Sequence, residues 1–244
     1  MKPEERIIVA LDTPTVADAL RIAKELEGLD CLYKMNALYH VLFPVFKEGL
    51  VREKQEAEKL LEIVHGKLFL DLKFSDIPST VAASARSVKW LEPKMFNTHA
   101  NAGLNAMKAA VENKGTAMSL AVTVLSSLKP SESEFIFGEI DIPKKVCSFA
   151  QSAIFAGMDG IVCSPQELGA LKRRRAFDGL VRVVAGSRSS WAPTNDQERP
   201  LTPAQAIILD ADYLVIGRQV TNPPQEIGGV RDAFLKTVAE IKAA

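Results

Sequence analysis

Short apolar runs alternate along the whole chain with stretches in which apolar residues recur every three or four positions. The runs read as strands: Ile7–Leu11, Cys31–Met35, Leu68–Leu72, Met95–His99, Ala117–Val124, Gly160–Cys163, Val181–Ala185 and Tyr213–Ile216. Segments such as IIVAL, LAVTVL and YLVIG are almost wholly apolar, the pattern of parallel strands covered by helices on both faces. Between them, Ala19, Ile22, Ala23 and Leu26 fall at i, i+3, i+4 and i+7, as do Ala57, Leu60, Leu61 and Val64, and again Ala150, Ala153, Ile154 and Gly157. That spacing lays one apolar stripe along each helix. Thr202 before Pro203 predicts a capped helix start, and Gly66 and Gly157 sit near predicted helix ends.

Eight strand–helix units share 244 residues, about 30 residues per unit, which is the count of a (β/α)8 TIM barrel. The expected architecture is therefore α/β, one barrel domain over residues 1–244. An open doubly wound sheet is the alternative, but no GxGxxG follows the first strand. Two long connections, Ser126–Pro143 and Gly186–Pro200, follow the fifth and seventh strands. On a barrel both would lie on the catalytic face.

Composition narrows the function classes. Hydrophobic residues make up 47% of the chain and charged residues 25%, as in ordinary globular proteins. Thirty basic residues balance thirty acidic ones, so the basic excess that captures nucleic acid or a membrane surface is missing. The run Lys172–Arg175 reads as a solvated helix face. Cys31, Cys147 and Cys163 are odd in number and widely spaced, with no CxxC pair. Free thiols suit a reducing cytoplasm. The start MKPEERIIVALD has no signal-peptide apolar region, and no uncharged apolar stretch is long enough to span a membrane.

The chemistry concentrates in LFLDLKFSDIPST, Leu68 to Thr80. Asp71 and Lys73 are two apart on a predicted strand, which points both to one side. Asp76 follows in the loop. Asp12 closes the first strand and Lys34 lies in the second. Alone, Asp12 could cap the next helix and Lys34 could snorkel to solvent. Two carboxylates and a lysine within six residues at a strand's carboxyl end have no such structural explanation, because charges in apolar strands are costly unless paired. His99 reads as a structural core histidine, since no His or Cys stands at ligand spacing from it.

These segments resemble the orotidine 5'-monophosphate decarboxylase family over nearly the whole chain. Its hallmark D-x-K-x-x-D-I-P-x-T is matched by Asp71, Lys73, Asp76, Ile77, Pro78 and Thr80. VALD, YKM, THANAG, AVTVLSS, AGMDGIVCS, NDQERPLTP and DYLVIGRQVT match further family segments. The resemblance implies decarboxylation of orotidine 5'-monophosphate to UMP without metal or organic cofactor. It implies a catalytic array of Lys34, Asp71, Lys73 and Asp76, with Lys73 the cation and proton donor. Asp76, Ile77 and Thr80 would reach into the partner's site of a homodimer. Asp12 and Lys34 would bind the ribose, Ser127 the pyrimidine, and Gln197, Gly217 and Arg218 the phosphate. The sequence departs from the family at Asn36, where glycine is usual, at Ala185 and Ser187 in the turn after the seventh strand, at Ser126, where threonine is common, and at Asp210 before the last strand. The competing expectations are a magnesium-dependent phosphosugar decarboxylase or aldolase sharing D-x-K-x-x-D, and a binding barrel without activity.

Overall fold

The computed structural model describes residues 1–36, 51–193 and 201–244. Within them the strands are β1 (Ile7–Ala10), β2 (Leu32–Met35), β3 (Leu68–Phe74), β4 (Met95–His99), β5 (Met118–Val122), β6 (Gly160–Cys163), β7 (Val181–Ala185) and β8 (Tyr213–Ile216). Each pairs in parallel with its neighbour in sequence, and β8 closes onto β1 with Ile7 opposite Leu214. This is the (β/α)8 barrel expected from the alternation, with strand limits displaced by at most two residues.

Helices cover the barrel: α1 (Val16–Glu25), α2 (Val51–Val64), α3 (Pro78–Ser87), α4 (Leu104–Asn113), α5 (Pro130–Phe137), α6 (Ile142–Ala156), α7 (Leu168–Lys172), α8 (Pro203–Ile208), α9 (Arg218–Thr221) and α10 (Val230–Lys242). The stripe residues Ala19, Ile22, Ala23, Leu26, Ala57, Leu60 and Val64 are buried. They pack on the outward positions of the strands, such as Ile7, Val9, Tyr33 and Leu70. The predicted cap is present: Thr202 Oγ1 accepts from Gln205 N at 3.2 Å, and Gln205 Oε1 accepts from Thr202 N at 2.9 Å. Gly157 ends α6 at φ 77°, a conformation that glycine adopts without steric cost.

The Ser126–Pro143 connection is not all loop, because it contains α5. Pro130 fits the first helical turn, Glu132 accepts from Lys129 N at 2.8 Å, and Gly138 closes the helix in the left-handed conformation. Its Phe135 and Ile136 are exposed, so no buried stripe advertises this helix in the sequence.

Inside the barrel, Ile8, Leu32, Phe69, Met95, Leu120, Val183 and Tyr213 form one apolar layer. Side chains alternate along a strand, so the next inward positions lie two residues further on. There β2, β3 and β4 present Lys34, Asp71 and Asn97, whereas β5, β7 and β8 present Val122, Ala185 and Val215. The carboxyl-terminal rim is thus polar on one side and apolar on the other. At β6, glycine is obligatory: a Cβ on Gly160 would lie 2.3 Å from the Val181 carbonyl oxygen.

Candidate active site

The inward charges of the rim join into one chain. Lys34 Nζ lies 2.6 Å from Asp12 Oδ2 and 2.9 Å from Asp71 Oδ2. Asp71 Oδ1 lies 2.7 Å from Lys73 Nζ. Two carboxylates and two ammonium groups sum to zero charge, which lowers the cost of removing the middle pair from water. Lys34 and Asp71 are buried, Lys73 is partly exposed, and Asp12 sits at the mouth. Asp12 does not cap α1; Thr15 does, accepting from Asp18 N at 3.1 Å. Instead Asp12 Oδ1 accepts from Asn36 N at 3.2 Å, and Asn36 Nδ2 donates to the Asp71 carbonyl at 2.8 Å. A glycine at position 36 would lack that second bond.

Both inner charges are held in their ionised forms. Burial alone would raise the Asp71 pKa, but the cations of Lys34 and Lys73 and hydrogen bonds from Lys73 and Asn97 bring it below the usual carboxylate value. Burial would likewise lower Lys34, but Asp71 and Asp12 bring it above the usual lysine value. His99, half-buried at the end of β4, is pushed down by burial and then by the Lys73 charge, so it is neutral at physiological pH.

Asp71 and Lys73 meet as the spacing predicts, but not through a regular pleat. The β3–β4 register moves from Leu70 opposite Phe96 to Phe74 opposite Thr98. Lys73 takes φ 50° in this irregularity, a left-handed conformation that costs a non-glycine residue about 1–2 kcal/mol. Such strain concentrates at functional sites.

A cavity of about 240 Å³ opens beside the chain. Lys34, Asp71 and Lys73 line one side, and Val122, Val162 and Val215 the other. A larger cavity of about 600 Å³ lies at the opposite end of the barrel, among Lys89, Lys94 and Lys114 near the starts of β4 and β5. Barrel enzymes work at the carboxyl-terminal face, and of these two cavities it is the smaller that lies there, lined by the Lys34–Asp71–Lys73 chain.

The other expected residues fall as follows. Asp76, Ile77 and Thr80 are exposed after β3, and Asp76 Oδ1 accepts from Ile77 N at 2.7 Å, outside the ionic chain. Ser127 is exposed in the turn after β5, while its neighbour Ser126 lines the cavity. Gly217 and the exposed Arg218 follow β8 on the same rim. Among the described residues a Cβ on Gly217 would meet only Ala10 Cβ, at 4.0 Å. Gln197 lies outside the described residues. Among the departures, Ala185 lines the cavity, Ser187 is buried, and Asp210 pairs with Lys172 on the outside at 3.2 Å. Sequence reasoning missed Asn97, which touches both Asp71 and Lys73. Its signal was a polar residue at an inward position, two after Met95.

A closed parallel barrel with paired lysines and aspartates on its carboxyl-terminal rim defines a (β/α)8 enzyme of the acid–base type. The sequence profile of the Orotidine 5'-phosphate decarboxylase / HUMPS family matches residues 5–231. Orotidine 5'-phosphate decarboxylase of Nostoc sp. is 36% identical over 233 residues, covering 89% of this chain and 90% of the relative. That of Alkalilimnicola ehrlichii is 38% identical over 234 residues, covering 92% and 93%. The crystal structure of orotidine 5'-phosphate decarboxylase from Lactobacillus acidophilus superposes with a TM-score of 0.73 at 25% identity, over 96% of this chain and 98% of that one. The chain belongs to the Orotidine 5'-phosphate decarboxylase / HUMPS family.

Proposed function

We propose that this chain is a single catalytic domain that decarboxylates orotidine 5'-monophosphate to UMP and carbon dioxide, with no metal or organic cofactor in the chemical step. One observation carries the reading: a lysine ammonium, Lys73, held at the cavity wall by a buried carboxylate 2.7 Å away. Loss of carbon dioxide breaks the bond from carbon 6 of the pyrimidine to its carboxyl carbon and leaves the electron pair on carbon 6. No ring carbonyl is placed to delocalise that pair. A fixed cation beside it stabilises the charge as it develops. Lys73 Nζ then gives a proton to carbon 6 and recovers one from water. Asp71 aims the Lys73 ammonium, and Lys34 keeps Asp71 ionised.

In this reading Asp12 and Lys34 hold the ribose hydroxyls, and Ser127 contacts the pyrimidine from the β5 turn. Gly217 and Arg218 hold the phosphate, with Arg218 offering a planar fork to its oxygens; Gln197 completes that end. The phosphate is remote from carbon 6, so its binding energy can drive positioning rather than bond breaking. Asp76, Ile77 and Thr80 complete the partner's site in a homodimer. Their exposure directly after the catalytic strand, with Ile77 64% exposed, supports this. The enzyme is cytoplasmic: all three cysteines are free and buried, and among the described residues no helix is long and apolar enough to cross a membrane.

The experiment is product analysis. Purified protein and orotidine 5'-monophosphate should yield UMP and carbon dioxide in equal amounts. Turnover of a keto-sugar phosphate with magnesium, and none of the nucleotide, would favour the phosphosugar enzymes instead.

A further inference from the structure

We infer that Asn97 is a positioning residue for this reaction: it locks the Asp71 carboxylate and the Lys73 main chain together, so that the Lys73 ammonium faces the reacting carbon. This rests on the assignment of Lys73 as proton donor.

Asn97 is completely buried on the inward side of β4. Both ends of its amide are used. Nδ2 donates to Asp71 Oδ1 at 2.6 Å, and Oδ1 accepts from Lys73 N at 2.7 Å. Between the paired positions Leu70–Phe96 and Phe74–Thr98, β3 advances four residues while β4 advances two. Asp71, Leu72 and Lys73 therefore stand across from Asn97 alone. The Lys73 N–H, displaced from regular pairing, is taken by the Asn97 side chain, in the stretch where Lys73 holds φ 50°. The same Asp71 oxygen that accepts from Asn97 also accepts from Lys73 Nζ at 2.7 Å. One amide thus bridges the two ends of a loop that starts at the Lys73 nitrogen and closes through its own ammonium.

The chemistry of the site demands this side chain. An aspartate at 97 offers acceptors to both partners and so repels the Asp71 carboxylate. An alanine offers neither bond and leaves a buried N–H unpaired. Either change frees Lys73 to relax from its strained conformation. A displacement of about 1 Å at a reacting group costs on the order of a hundredfold in rate.

The test compares Asn97→Asp and Asn97→Ala with wild type, measuring kcat and KM for orotidine 5'-monophosphate from pH 5.5 to 8, with circular dichroism for folding. Both variants should lose about a hundredfold in kcat at pH 7.5, with KM within about threefold. The Asn97→Asp variant should recover relative to wild type by at least about fivefold towards pH 5.5, because a protonated carboxyl can again donate to Asp71. The groups facing position 97 are Asp71 and Lys73 from β3, Lys34 through Asp71, and His99 on its own strand. The Asn97→Ala variant keeps all of these and should show no such recovery. A folded variant with near wild-type kcat would overturn the proposal, as would a rise in KM alone or the absence of acid recovery in Asn97→Asp. If neither variant folds, Asn97 is a folding residue and the proposal fails. A wild type that does not turn over the nucleotide would instead refute the assigned reaction.

Discussion

Asp12, Lys34, Asp71 and Lys73 are each fixed by a partner of opposite sign, and the pairing decides how the site responds to pH and substitution. Asp71 has a depressed pKa, so its contribution to stability is present above the ordinary carboxylate range and is lost as acid protonates it. Lys34 has a raised pKa, so its contribution is present below the ordinary lysine value and is lost only in strong alkali. The Lys34–Asp71 pair therefore stays ionised across the whole neutral range. In the proposed reading Arg218 holds the phosphate, away from the reacting carbon. Replacing it by alanine should raise KM by about 10–100-fold, the worth of a charge-assisted pair, with a smaller effect on kcat. An unchanged KM in steady-state kinetics would move the phosphate site elsewhere. At this scale the sequence showed Asp71 and Lys73 openly, because clustered charges at a strand's end have few structural explanations, while Asp12 and Lys34 taken singly each had one. Asn97 stayed hidden, because an uncharged amide inside a strand looks the same whether it braces a site or merely fills a core.

The elements were legible in proportion to how completely they are buried. All eight strands were readable because parallel strands covered on both faces must be apolar nearly throughout. Helix α5 was not, since it exposes Phe135 and Ile136 and shows no one-sided stripe. The irregularity in β3 was also invisible: D-L-K reads as plain alternation, and only the register against β4 reveals the left-handed Lys73. The turn after β6 yields a prediction of its own. Glu167 is buried there, with its carboxylate accepting from Ser164 N at 2.9 Å, and burial pushes its pKa up to about 7. A carboxyl with a raised folded pKa favours the fold while protonated. Stability should therefore fall as pH rises from its ordinary value near 4.5 to about 7. Glu167→Gln keeps the carbonyl oxygen and removes the charge. It should stabilise the protein by up to about 3 kcal/mol at pH 8 and change little at pH 4. Denaturant titrations at the two pH values measure this, and equal effects at both would contradict it.

At the scale of the whole molecule, the barrel was expected from the count of strand–helix units, whereas periodicity and composition say nothing of whether a second chain completes the site. Asp76 carries the family spacing yet stands outside its own chain's ionic network. If the site is shared between subunits, two inactive variants should repair one another. Lys73→Ala and Asp76→Ala mixed after reversible dissociation form heterodimers with one intact site each, and activity should return to about a quarter of wild type. No recovery from a mixture shown to exchange subunits would place Asp76 in its own chain's site. The most direct measurement for the account is the loss of ultraviolet absorbance when wild type and Lys73→Ala, both treated with EDTA, meet orotidine 5'-monophosphate. Wild type should convert it rapidly, and the folded variant should be slower by about 10⁴-fold or more. Turnover by Lys73→Ala near the wild-type rate, or a wild type silent until magnesium is restored, would contradict it.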